Sequence, residues 1–196
     1  MAEVFTKYTR LAAVNFMLRS IGEAEVPNLS APHTSRGDVA AAETILDEEG
    51  RTVQSEGWWF NMQLVTFSPV ANQIALDDTV LDVKNEYYTP QKVYVEKGGK
   101  LYNRTDNTHT FTSDVKLITT YLMPLEELPE VFRRYITLRA ARVLSETRVG
   151  DPHLRQYAIQ IEGEARARVE ISQGEHENFN VFKDSEAVDL VNRGLR

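Results

Sequence analysis

Apolar residues recur at helical spacing near the start of the chain, at Leu11, Val14, Leu18 and Ile21, with Met17 beside them. The spacing predicts a helix over 6–21, and Gly22 is a natural stop. The stretch "EAEVPNLSAPHTSRGD" carries two prolines, two serines and a glycine and reads as a loop. A second stripe, Val39, Ala42, Ile45, Leu46 and Val53, predicts a helix over 38–56. Ser35 followed by Asp38 fits a capping box at its start. Gly50 lies inside this helix, where glycine is about 1 kcal/mol worse than alanine. Gly57 ends it.

The period then changes. From 60 to 122 β-branched and aromatic residues dominate, in alternation. In "QKVYVEKGGKLYNRT", Val93 and Val95 alternate with Tyr94 and Glu96. Gly98-Gly99 supplies a two-residue turn that tolerates positive φ, and Leu101 and Tyr102 begin the returning strand. "TDNTHTFTSD" reads as a polar loop and "VKLITTYL" as a further strand.

Helical spacing returns after Pro124. Acidic residues open this segment and arginines follow, the order the helix dipole favours. Pro129 fits a first turn, and Phe132, Ile136, Ala140 and Val143 mark one face. Gly150-Asp151-Pro152 break the chain. A fourth helix is expected over 152–173, with the stripe Leu154, Ala158, Ile161, Ala165 and Val169, and with the i,i+4 pairs Glu162–Arg166 and Glu164–Arg168. The pattern therefore predicts an α+β fold: a four-helix bundle (1–59 and 123–174), a β-rich insert between its second and third helices (60–122), and an extended C-terminal tail (175–196). Phe179, Val181, Phe182, Leu190 and Leu195 are scattered through that polar tail. Apolar residues in such a setting serve as anchors for a partner.

Composition narrows the function. With 196 residues, a net charge of −7 and a pI near 5.2, the chain is a poor candidate for tight, sequence-independent DNA binding. A surface that weakly repels phosphate instead lets DNA slide past. The absence of cysteine excludes disulfides and thiolate sites, and fits a protein that folds in a reducing cytoplasm. The N-terminal sequence has no apolar stretch behind its charges, so no signal peptide is expected. No apolar run approaches the ~20 residues of a membrane span.

Catalytic patterns are missing. There is no glycine-rich phosphate loop, and His33, His109, His153 and His176 show no metal-ligand spacing. No cofactor or metal is expected. Ser55 lacks the preceding glycine of a nucleophile elbow. Asp77-Asp78 and Glu126-Glu127 are the carboxylate pairs a glycoside hydrolase would need, but they read as a turn and a helix start. Asn103-Arg104-Thr105 spells a glycosylation sequon, without meaning in the absence of a secretory signal. Arg133, Arg134, Arg139, Arg142 and Arg148 are spread around one helix among acidic neighbours. Salt bridges between subunits suit them better than DNA, because arginine pairs carboxylates in a planar, bidentate way.

Trp58 and Trp59, the chain's two tryptophans, follow Gly57 where helix gives way to strand. At least one is expected to face the core where bundle meets sheet, as architecture rather than a ligand surface. The other is expected to be partly exposed or packed on a neighbouring subunit.

Four stretches in order resemble the tail tubular protein A family, the adaptor or gatekeeper proteins of short-tailed podophages of the T-seven type (autographiviruses). They are "AVNFMLRSIGEAEV", "ILDEEGRTVQSEGWWFN", "YVEKGGKLYNRT" and "LEELPEVFRRYITLRAARVL". The matching residues include Gly57, Trp58, Phe60 and Asn61, then Gly98, Gly99, Arg104 and Thr105, then Pro129. The resemblance covers 11–167 and is poor beyond Gly174.

That resemblance implies a structural virion protein of the tail, assembled in the host cytoplasm. Family members form a dodecameric ring that joins the portal to the hexameric nozzle, tail tubular protein B. They also contribute to tail-fibre docking, and DNA passes through the ring without specific binding. Phe179, Phe182 and Leu190 are then candidate portal anchors, and Arg133, Arg134, Arg139 and Arg142 candidate subunit-interface residues. The alternative activity ascribed to some members, peptidoglycan hydrolysis, finds no supporting residues in this chain.

Overall fold

The structure is a computed structural model, and it describes residues 8–85 and 93–176. The helices are α1 (Arg10–Ser20), α2 (Gly37–Ser55), α3 (Glu130–Arg148) and α4 (Pro152–His176). The strands are β1 (Met62–Phe67), β2 (Val80–Asn85), β3 (Tyr94–Glu96), β4 (Leu101–Asn103) and β5 (Val115–Tyr121), all between α2 and α3. The fold is mixed α/β, as the periodicity predicts, with helices flanking small antiparallel sheets.

Local chemistry sets the ends. α1 begins four residues later than the apolar spacing suggests, because the Thr9 hydroxyl accepts the Ala12 N–H and caps it there. It closes on Gly22, at φ +79°, with Glu23 and Gly22 N–H donating to Leu18 and Arg19 carbonyls in a Schellman arrangement. The capping box at Ser35 and Asp38 does not form. Ser35 sits in a short 3-10 turn, its hydroxyl donates to the Pro32 carbonyl, and the N-cap of α2 is Arg36 with no side-chain bond. Asp38 pairs with Arg148 instead.

α1, α2 and α3 pack on one another around Val14, Leu18, Val39, Leu46, Phe132, Ile136 and Leu144. In α3 it is Leu144, not Val143, that completes the buried face. Gly50 lies where α2 meets α3, and a methyl group there would stand 3.9 Å from the Ile136 side chain. α4 lies on α3 and buries only Ala165 and Val169. The first half of its expected stripe is not covered, and Leu154 is 46% exposed. Its expected i,i+4 pairs are not made. Glu162 pairs with Arg142 on α3, and Arg166 pairs with Glu56 across the joint and with Glu170 one turn further along α4.

The insert carries its own core, Ile74, Leu76, Val83, Leu101, Phe111, Val115 and Leu117. β5, last in sequence, is the middle strand of an antiparallel sheet ordered β1-β5-β2, with Leu64 opposite Ile118 and Val83 opposite Thr119. β3 and β4 form a hairpin whose Gly98 and Gly99 have φ +67° and +70°, the two positive values a type I′ turn requires.

Candidate functional site

The chain crosses between the helices and the insert twice, at 56–61 and at 121–124, and the residues there form a polar joint. Gly57 takes φ +79°, and a methyl group on it would lie 3.1 Å from the Met62 sulfur. That turn drops Trp58 into the helical core at 5% exposure, edge-on to Phe132 at 5.0 Å. The Trp58 indole N–H donates to the Val53 carbonyl at 2.6 Å, and the same carbonyl accepts the Glu56 N–H at 3.3 Å, so the indole reinforces the last turn of α2. Phe60 packs on Phe132 from the other side at 4.5 Å.

Asn61 is fully buried and ties three strands of chain together. Its Oδ1 accepts the Trp58 N–H at 2.8 Å, and its Nδ2 donates to the carbonyls of Gln54 and Tyr121, both at 2.9 Å. Gln54, 2% exposed, clamps Met123: its Nε2 donates to the Met123 carbonyl and its Oε1 accepts the Met123 N–H. Both crossings are thereby fastened to the last turn of α2. Gln54 escapes the sequence reading. Its signal is a polar residue four positions after Gly50, in phase with the apolar stripe.

Trp59 points away from the core. Its backbone N–H donates to Gln173 Oε1, its ring stacks on His176 at 3.8 Å, and its buried indole N–H has no acceptor among the described residues. Arg166 lies over the Trp58 ring at 5.0 Å while pairing with Glu56. Burial works against its charge, yet the hydrogen bonds it donates to Glu170 and Glu56 hold its pKa above the ordinary arginine value. The second half of α4 is therefore riveted to the joint.

The other signature residues have local duties. The Arg104 N–H donates to the Val93 carbonyl and Thr105 Oγ1 accepts the Val93 N–H, closing the β3–β4 hairpin. Asn103, 5% exposed, donates to Asp106, so the sequon asparagine is sealed in a turn. Pro129 is the N-cap of α3, and its carbonyl accepts from Phe132 and Arg133.

The α3 arginines are placed differently from one another. Arg133 is 3% exposed, donates to the Tyr8 and Glu126 carbonyls and pairs with Glu130. Arg139 pairs with Glu49 on α2, and Arg142 with Glu162 and Glu146. Arg134 lies over the Phe16 ring at 4.8 Å and has no carboxylate partner among the described residues. Phe179, Phe182 and Leu190 lie outside the described residues.

None of this geometry is catalytic. Asp77 accepts the Thr79 N–H at 2.8 Å, a bond that holds its carboxyl below the usual range, and Glu126 accepts the Arg10 N–H. Among the described residues no cluster of His, Asp or Glu could hold a metal ion, and no helix is long and apolar enough to cross a membrane.

Comparison with known proteins agrees. A family model described as tail tubular protein matches residues 11–180. The chain is 28% identical over 161 residues to tail tubular protein A of Klebsiella phage KP34, which covers 78% of this chain and 80% of that one.

Proposed function

The chain belongs to the tail tubular protein family, and from that premise we propose that it is the head-to-tail adaptor of a short-tailed phage. It is a structural component of the virion tail rather than an enzyme. In the proposed role, twelve copies form a ring between portal and nozzle, DNA passes through the ring, and tail fibres dock at its rim. The family match along 11–180 carries the reading. The helices act as one bundle body, residues 1–59 and 123–174. The insert, 60–122, projects from it and reaches the next ring down.

A ring needs two different faces on each subunit. The uncovered apolar side of α4, with Leu154 and Tyr157, supplies one of them. Arg134, the candidate interface arginine without a carboxylate partner among the described residues, pairs with a neighbour there. Arg133, Arg139 and Arg142 shape the same face from within. The segment from 175 carries Phe179, Phe182 and Leu190 to the portal. The net charge of −7 keeps DNA from adhering to the channel.

The test is the mass in solution, by light scattering, of the protein alone and mixed with the portal protein of the same phage. A stoichiometric complex with the portal is expected. A monomer that ignores the portal would overturn the adaptor role while leaving tail membership intact.

A further inference from the structure

β5 divides its backbone groups between its two neighbours. The Tyr121 N–H donates to the Asn61 carbonyl just before β1, and the next residue, Leu122, donates to Thr79 just before β2. In an antiparallel ladder one residue bonds to one side and the next residue to the other. Along the register from Asn61 and Tyr121, Gln63, Val65 and Phe67 therefore bond β5, and Met62, Leu64 and Thr66 turn their backbone groups away from it. The Met62 N–H goes to the Trp58 carbonyl. The N–H and C=O groups of Leu64 and Thr66 have no partner among the described residues.

Edges in this state attract other strands, and proteins guard them with charge, proline or a bulge. The other edges of the insert are guarded. β2 has a register break between Val80 and Asp82, carries the charged pair Asp82–Lys84 and lies against β3. β4 is bonded on its outer side by the stretch 74–76, through the Leu101 N–H to Ile74 and the Leu76 N–H to Gly99. β1 has an unbroken register, no charge and no proline, and Leu64 on it is 48% exposed.

The spacing of the free groups says which strand fits. Leu64 and Thr66 are symmetric about Val65, and each offers one donor and one acceptor. In a second copy turned by a two-fold axis, Leu64 of each copy lies opposite Thr66 of the other, and each such pair exchanges two hydrogen bonds. Val65, which shares a face with Leu117 at the rim of the insert's core, then meets the partner's Val65. The neutral edge also lets two copies approach without repulsion, on a chain whose net charge is −7.

We propose that two copies of this chain pair antiparallel through β1, across a two-fold axis at Val65, and join their sheets into one. Edges of six residues cover less than the about 1,200 Å² at which stable interfaces begin, so the pairing is reversible, with a Kd on the order of 10 µM. A two-fold contact closes on itself, so it forms in the free protein and does not build a ring. The inference is independent of the adaptor role.

Sedimentation of the full chain between about 1 and 100 µM, on either side of that Kd, should show monomer passing to dimer. Thr66→Pro removes a donor that faces away from β5, so the melting curve should hold while the dimer weakens at least tenfold. The chain has no cysteine, which permits a second measurement. In the proposed register Val65→Cys meets its counterpart at about 4.5 Å between Cα atoms, within disulfide reach. Gln63→Cys faces position 67 of the other copy and lies about 13 Å from its counterpart. Mild oxidation should link Val65→Cys many times faster than Gln63→Cys on a non-reducing gel. A monomer across the whole range, a dimer indifferent to Thr66→Pro, or equal cross-linking of the two cysteine variants overturns the proposal. Portal binding, which tests the adaptor role, is read separately.

Discussion

The joint at 54–61 and the first half of α4 use their side chains in opposite ways. At the joint nearly every polar atom is committed inside the chain: Asn61 makes three hydrogen bonds, Gln54 makes two to Met123, and the Trp58 indole N–H is bonded to Val53. In the first half of α4 apolar side chains stand in solvent, Tyr157 at 65% and Ile159 at 50% exposure. The joint is satisfied by its own chain and sets the position of the insert relative to the helices. The helix half is held by few contacts of its own chain, and its apolar surface is open to partners. If assembly uses the open side of α4, as proposed, stability and assembly rest on different residues, and substitutions can separate them.

The largest effect is expected from Asn61→Ala. It strands the buried Trp58 N–H and takes the side-chain bond from the Tyr121 and Gln54 carbonyls, the latter keeping the Gly57 N–H. Losing that set should cost about 3 kcal/mol, a drop of roughly 10 °C in Tm for a chain of this size. Thermal melts followed by tryptophan fluorescence would read it directly, since Trp58 is part of the node. A loss below about 1 kcal/mol would mean that the joint is not the rigid connection its bonds suggest.

Gly57→Ala comes next. The left-handed φ costs an L-residue about 1–2 kcal/mol, and the new methyl group meets the Met62 sulfur at 3.1 Å, a flexible side chain that can yield only by disturbing β1. A loss of about 2 kcal/mol in urea unfolding is expected. Gly50→Ala should act in the opposite direction. Its methyl group arrives at ordinary contact distance from Ile136, so the helix propensity gain of about 1 kcal/mol is kept. If Gly50→Ala destabilises, α2 and α3 pack more closely than the 3.9 Å clearance indicates.

The same contrast explains what could be read from the sequence. Element order, the run of strands between α2 and α3 and the two-residue Gly98-Gly99 turn were legible, because period and turn chemistry are local. Trp58 as an architectural residue was legible too, since a glycine stop followed by aromatics marks a change of structure. The roles of Gln54 and Asn61 were not, because their partners at Tyr121 and Met123 lie some sixty residues away and an amide carries no periodic signal. The burial of α4 was over-read for the opposite reason. Leu154, Ala158 and Ile161 continue the same helical stripe as Ala165 and Val169, and periodicity cannot tell a face covered by its own chain from one kept for a partner. The arginines of α3 illustrate the middle case. Their planar, bidentate chemistry suited contacts between subunits, and within the chain Glu130, Glu49, Glu146 and Glu162 engage three of them.

Tyr157→Ser should have the smallest effect on the fold and the largest on assembly. The ring is 65% exposed, so its removal forfeits little buried area, and the hydroxyl of serine needs no partner in solvent. The change in unfolding free energy should stay within about 0.5 kcal/mol. If α4 presents its open side to a neighbouring subunit, the same substitution should weaken ring formation on the portal, read as a loss of the high-mass species in sedimentation. Asn61→Ala, assayed well below its lowered Tm, should still assemble. Reversed outcomes would break the comparison: a Tyr157→Ser protein that melts early would place the side chain in the fold, and one that assembles normally would move the subunit contact off α4. The two variants belong in one experiment, because each supplies the control that the other lacks.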